Sequence, residues 1–209
     1  MNEPMNEVLL QKEKADPDRL LWAWTDVQAA QRLATKDRTQ GWAALNLLFR
    51  KGAVPDPALD GRYAGKLLAI DIAPGLTQFF QSLLTSWMPW LGKSFNAAEN
   101  SGENIFTENS YPLARIFNPF YSGFTPEGSD TYRGFAFRTY AAPGVFDADR
   151  LVLKIDYDLE SNPRLTVRRV LDELVQLDDN VYLGKAHVRW WWRRAKEWQT
   201  VAYFSLSRQ

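Results

Sequence analysis

The 209-residue chain carries 25 basic and 25 acidic residues, so its formal charge cancels, and it has no cysteine. Without thiols, disulfides, thiolate catalysis and cysteine-ligated metals are excluded, and a reducing, cytoplasmic setting is expected. A neutral chain lacks the broad positive field of a general nucleic-acid binder, so no nucleic-acid partner is expected. The 45% hydrophobic and 24% charged content fit a folded protein, and nine tryptophans are the compositional outlier. Indole rings serve as core, pocket lining or interface.

Met1 to Lys14 contain Glu3, Glu7 and Glu13 and no long apolar run, which reads as a polar tail and not a signal peptide. No uncharged apolar stretch approaches the roughly 20 residues a membrane-crossing helix needs. Asp16-Pro17 starts a predicted helix running to Leu33, with Leu20, Leu21, Trp24 and Val27 as its apolar stripe. Thr39-Gln40-Gly41 interrupts the pattern, and a second helix is predicted from Trp42 to Arg50, stopped by Gly52.

Pro55-Asp56-Pro57 then links to a predicted strand, Arg62 to Ile70. A short helix is predicted around Leu76 to Leu84, ending near Trp87-Met88-Pro89. Trp90 to Phe95 reads as a strand with a close backbone approach at Gly92, and Glu103 to Thr107 as another. Pro112 to Gly128 is irregular but too apolar for a plain solvent loop. Strands follow at Tyr132–Tyr140, Arg150–Leu159, Leu165–Leu177, Val181–Trp192 and Gln199–Ser207. In the second of these, Leu153, Ile155 and Tyr157 share one face while Lys154, Asp156 and Asp158 share a face expected to be solvated. Asp178-Asp179-Asn180 fits a tight hairpin turn.

The expected fold is therefore mainly β with accessory helices: a curved antiparallel sheet or closed β-barrel over residues 59–209, preceded by a tail and helical extension over residues 1–58. The segment Gly61-Arg62-Tyr63-Ala64-Gly65, together with Trp90-Leu91-Gly92-Lys93 and the carboxy-terminal meander, resembles lipocalin-like and fatty-acid-binding-like barrels from Leu59 to Leu206. That resemblance implies an internal apolar ligand site and transfers no catalytic residue.

Several residues are candidates for contact with such a ligand. Phe135, Phe137, Ile155 and Tyr157 are expected inside the barrel, with Trp87, Trp90 and Trp190 near a rim. Arg138, if it points inward, offers a carboxylate ligand two parallel hydrogen bonds. His187, the single histidine, is read either as a buried hydrogen-bonding residue or as a functional one. One imidazole does not make a common zinc site, so no metal is expected and no cofactor is named. Asp172 and Glu173 are consecutive on a strand and should point to opposite faces.

The glycines lack phosphate-loop spacing, and no serine sits in a nucleophile elbow. The run Trp190 to Trp198, rich in tryptophan and arginine, reads as a barrel closure or an interaction surface. Binding of a hydrophobic or amphipathic small molecule is thus the expected function, by a chain that could self-associate. Two alternatives stand beside it: a small-molecule enzyme on the same scaffold, and a noncatalytic interaction or assembly domain.

Overall fold

The computed structural model describes residues 23–55, 59–71, 90–108, 121–189 and 197–209. Among the described residues two helices come first, α1 (Ala23–Lys36) and α2 (Arg38–Lys51). The strands are β1 (Gly61–Ile70), β2 (Trp90–Asn96), β3 (Ser101–Thr107), β4 (Thr125–Glu127), β5 (Thr131–Pro143), β6 (Leu151–Asp156), β7 (Val170–Asp178), β8 (Val181–Val188) and β9 (Gln199–Arg208). The helix expected at Leu76–Leu84 and the first turns of the Pro17 helix lie outside the described residues.

The helical hairpin corrects one expectation. Gly41 lies inside α2 and does not break it. A Cβ at this position would sit 2.1 Å from the Ala34 Cα, so the bare glycine lets the two helices cross in contact. The chain restarts at Asp37 instead. Its extended backbone leaves the helical path, and its Oδ1 accepts from the Gln40 N–H at 3.0 Å, satisfying one of the donors a helix start leaves free.

All strand pairings are antiparallel. Within the ring each of β1–β3 and β5–β9 has two neighbours, β5 pairing with β4 besides, and the β3–β5 pairing closes it, giving an eight-stranded up-and-down barrel. Arg138 on β5 pairs with Ser101, the first residue of β3, and with Asp156, the last of β6. One residue thus faces opposite ends of its two neighbours, which is the stagger that closure requires. Where β6 has ended, β4 pairs with Thr131–Arg133 and continues the wall.

Between these two stretches, side chains take over the bonding. Asn162 Nδ2 donates to the Ala136 carbonyl at 2.6 Å, and Tyr121 Oη accepts from the Phe135 N–H at 2.6 Å. Phe135 itself has φ +53°, a conformation costly for a bulky residue.

The connections sort to two ends. The turn end carries 97–100, 144–150 and the two-residue turn 179–180. At the other, connector end, β1, β3, β6 and β8 finish and β2, β5, β7 and β9 begin.

Strand alternation produces two cores. Leu59, Tyr63, Phe95, Phe137, Leu153, Ile155, Tyr157, Leu174, Tyr182, Phe204 and Leu206 fill the interior. Outside, the helical hairpin packs Val27, Ala30, Leu45 and Phe49 onto Leu68, Val152, Val175, Leu183 and Tyr203. Each such side chain contributes roughly 1.5–3 kcal/mol on burial.

Three strands are shorter than their apolar patterns suggest, among them Val181–Trp192, whose sheet pairing ends at Val188 with Arg189 already outside the strand. Arg150–Leu159 gives sheet only over Leu151–Asp156, and Leu165–Leu177 begins with a 3-10 turn at Val167–Arg169. Asp156 and Lys154 are also not solvated: they are 8% and 5% exposed. Gly92 meets its expectation. With φ +141°, it brings its Cα so near β1 that a Cβ would lie 1.9 Å from the Tyr63 carbonyl oxygen.

Candidate functional site: a buried lysine among aromatic rings

Inside the barrel, near its connector end, one lysine holds a polar cluster together. Lys93 on β2 is 2% exposed. Its Nζ donates to Asn104 Oδ1 at 2.9 Å, to Asp172 Oδ2 at 2.9 Å and to the Tyr157 hydroxyl. Four rings surround the same nitrogen, with centroids at 5.4 Å (Trp90), 5.3 Å (Phe137), 5.1 Å (Tyr157) and 5.4 Å (Phe204). At these distances each ring attracts the ammonium through its quadrupole.

The cluster turns on one shared acceptor, approached by three donors, of which the Tyr157 hydroxyl has a second acceptor within reach. Asn104 Oδ1 is approached by Lys93 Nζ, by Trp90 Nε1 at 3.1 Å and by the Tyr157 hydroxyl at 3.3 Å. An amide oxygen offers two lone pairs. The single Tyr157 hydrogen must also choose between Asn104 and Asp172 Oδ2, 3.1 Å away. Asn104 Nδ2 donates to Tyr157 Oη at 3.1 Å and to the Phe135 carbonyl at 3.3 Å, which ties the cluster to the strained residue.

Burial works against charge here. It lowers the Lys93 pKa, although Asp172 pulls in the other direction, and it raises that of Tyr157 well above the ordinary tyrosine value.

A second charged layer lies on the outer face of the same wall. Glu173 accepts from Lys154 and from the Val145 N–H at 2.5 Å, and its Oε2 lies 3.1 Å from His187 Nε2. His187 Nδ1 is 3.0 Å from Thr200 Oγ1. Asp147 pairs with Lys185 and, at 2.5 Å, with Arg50 of α2. Lys185 also sits 4.1 Å from the centroid of Phe49. Burial raises the Glu173 pKa, but the adjacent His187 imidazole and the Lys154 ammonium outweigh it and hold the group at about 2. This layer fastens α2 and residues 144–150 to the barrel.

The residues expected to line a ligand site divide accordingly. Trp90, Phe135, Phe137, Ile155 and Tyr157 belong to the interior core. Trp87 and Trp190 lie outside the described residues. Arg138 points outward: it is 57% exposed and binds Asp156 Oδ2 through Nε at 3.1 Å and an Nη at 2.8 Å. Its place on β5 opposite Phe135 and Phe137 sends it to the other side of the wall, so it is no carboxylate anchor for the interior. His187 is fully buried but sits in the outer layer, away from Asp172. A convergence of His187 with Asp172 or Asp156 would favour the enzyme alternative; here Asp172 faces in and Asp156 is held by Arg138.

Of the apolar stretch Phe117 to Phe124, the described part packs inward: Phe124 and Tyr121 stack against Phe135 at 5.1 and 4.7 Å. Arg189 lies over Trp198 at 4.4 Å.

Lys93, Asn104 and Asp172 were not among the expected site residues. The signal for Asp172 lies in its register, because it alternates with Val170 and Leu174 on an apolar face. Lys93 shares a face with Phe95 in the same way.

An open groove of about 700 Å³ lies elsewhere, along Asp60, Ser94, Glu99, Glu103 and Arg133. Among the described residues, no group of histidine and carboxylates is arranged to hold a metal, and no helix is long and apolar enough to cross a membrane. No family model matches the chain, and no curated protein does. Among solved structures, the chain is similar to one described as the crystal structure of a protein from Thermomonospora curvata. The two are 16% identical, the match covers 88% of this chain and 99% of that one, and the TM-score is 0.48.

Proposed function

We propose that the barrel binds a neutral amphipathic small molecule at the connector end of its interior, placing an acceptor oxygen of the guest among Lys93, Asn104, Tyr157 and Asp172. The observation that carries this reading is the convergence of a lysine ammonium, an amide, a phenol and a carboxylate inside an apolar, ring-lined interior. A buried ion pair adds little stability compared with apolar packing of equal volume, so stability alone does not account for it. Polar groups set in an aromatic lining are the usual means of orienting a small guest.

The head group follows from charge. Asp172 already balances Lys93, so a ketone, aldehyde or alcohol fits better than a carboxylate. The turn end is filled by edge-to-face rings, with Tyr63 at 5.2 Å from Phe95 and 5.5 Å from Tyr182, which supports a guest at the other end. The up-and-down barrel supports a lipocalin-like or fatty-acid-binding-like relationship, which we include in the proposal.

Titration of the full chain with nonanone, nonanol and nonane, followed by tryptophan fluorescence, tests the reading. One well-made hydrogen bond is worth about 1.4 kcal/mol, or about tenfold in affinity. The oxygenated probes should therefore bind about tenfold tighter than the alkane, and Lys93→Met should erase the difference. Equal responses to all three probes would overturn the proposal.

A further inference from the structure

We propose that Lys93 captures aldehydes and ketones covalently, as an imine, within the barrel. This inference rests on the binding reading above and specifies the substrate class of the same site. Three features of the geometry carry it.

The first is the environment of the amine. Imine formation needs a neutral amine in a place where water does not compete, and Lys93 Nζ is enclosed by four rings. Burial lowers its pKa, in the direction that frees the lone pair. The second is a nearby proton acceptor: Asp172 Oδ2, 2.9 Å away, can take the ammonium proton. The third is a pair of groups able to handle protons at the oxygen. The Tyr157 hydroxyl touches Nζ and lies 3.1 Å from the same Asp172 oxygen, forming a short relay between nitrogen, phenol and carboxyl.

The chemistry balances without any oxidant or reductant. The ammonium gives one proton to Asp172, and the freed lone pair attacks the carbonyl carbon. A C–N bond forms while the C=O π bond breaks. The new alkoxide takes a proton from the adduct nitrogen through the Tyr157 hydroxyl and becomes a hydroxyl, which returns a lone pair to the nitrogen, and the proton held on Asp172 then lets that hydroxyl leave as water. The nitrogen lone pair closes the C=N bond. In sum, an amine and a carbonyl give an imine and one water. When protonated, the product carries its positive charge where the Lys93 ammonium had been, so the rings and Asp172 stabilise it equally well.

Among the described residues, the other two buried lysines lack this arrangement. Lys154 and Lys185 face outward and are locked to Glu173 and Asp147 beneath α2 and residues 144–150. Neither has a tyrosine hydroxyl among its described hydrogen-bond partners.

The test is reductive trapping on the full chain. The protein is incubated with nonanal and sodium cyanoborohydride, digested, and each lysine is quantified by mass spectrometry. Lys93 should be alkylated about tenfold faster than the exposed Lys36, Lys51 and Lys66, and excess nonanol should slow that reaction alone. Lys93→Arg, which keeps a cation in the cage, should abolish the adduct while retaining the fluorescence response to nonanal. Tyr157→Phe should slow trapping with the melting transition still cooperative.

Labelling confined to exposed lysines would overturn the inference. If nonanol nevertheless binds in that case, reversible binding stands and only the covalent step fails. If neither nonanol nor nonanal elicits a response, both readings fall together.

Discussion

Lys93 Nζ on β2 and Asp172 Oδ2 on β7 meet at 2.9 Å from strands that lie four places apart whichever way the eight-stranded ring is followed. The ion pair therefore spans the barrel as a crossbar. Its partners are separated by 79 residues in sequence, so it can form only once the far side of the meander has folded.

Breaking the crossbar on one side should be costly. Lys93→Met leaves the Asp172 carboxylate buried without its cation, and urea denaturation should show a loss of about 3–5 kcal/mol. Lys93→Met combined with Asp172→Leu removes both charges and should be more stable than the single variant. A double variant weaker than the single one would contradict this charge-compensation account.

Acid should loosen the outer layer in a defined window. The Glu173 pKa falls from 4.5 to about 2 on folding, because His187 and Lys154 outweigh the opposing effect of burial. The resulting stability is complete above about pH 4.5 and is lost as pH drops through about 2, a change of roughly 3 kcal/mol. Denaturation curves collected across this range should steepen with acid in the wild type. Glu173→Gln should be less stable at neutral pH and flatter below pH 4.5. Parallel pH profiles for the two proteins would refute the assignment.

Gly41→Ala tests the helix crossing. Its new methyl would overlap the Ala34 backbone at 2.1–2.2 Å, so the hairpin must spread and partly uncover Leu45 and Phe49. We expect a loss of about 1–3 kcal/mol in thermal or chemical melts. Lys36→Ala, at an exposed position on α1, should stay within about 0.5 kcal/mol of wild type.

Arg138→Ala should leave nonanol and nonanal binding unchanged, because its guanidinium lies on the outer face with Asp156. Because it leaves the buried Asp156 carboxylate with only the Tyr140 hydroxyl and the Asp158 N–H, it should cost about 1–3 kcal/mol of stability. A clear drop in probe affinity would place Arg138 in contact with the guest and sink the interior assignment.

Much of the wall was readable from period-two alternation. Leu153, Ile155 and Tyr157 on one face, and the turn at Asp179-Asn180, follow directly from pattern and turn chemistry. The opposite orientations of Asp172 and Glu173 follow in the same way. Polarity misled where tertiary cover was missing from view. Asp156 and Lys154 looked solvated because a strand cannot announce the side chains and loop that will lie over it. Gly41 looked like a break because glycine has two uses, and helix contact is visible only once α1 is in place. The crossbar was hidden for the same reason: its halves are single charges in distant apolar strands, and neither names the other.

Strand β7 carries one more implication. Val170, Asp172 and Leu174 turn inward, while Leu171, Glu173 and Val175 turn outward, so both sides spell aliphatic, acid, aliphatic. A slip by one residue would present nearly the same lettering to each compartment. What orients this strand is the reach of its two acids, one methylene apart, toward lysines standing on either side. Exchanging them, Asp172→Glu with Glu173→Asp, would preserve composition and charge while misfitting both sides of the partition at once.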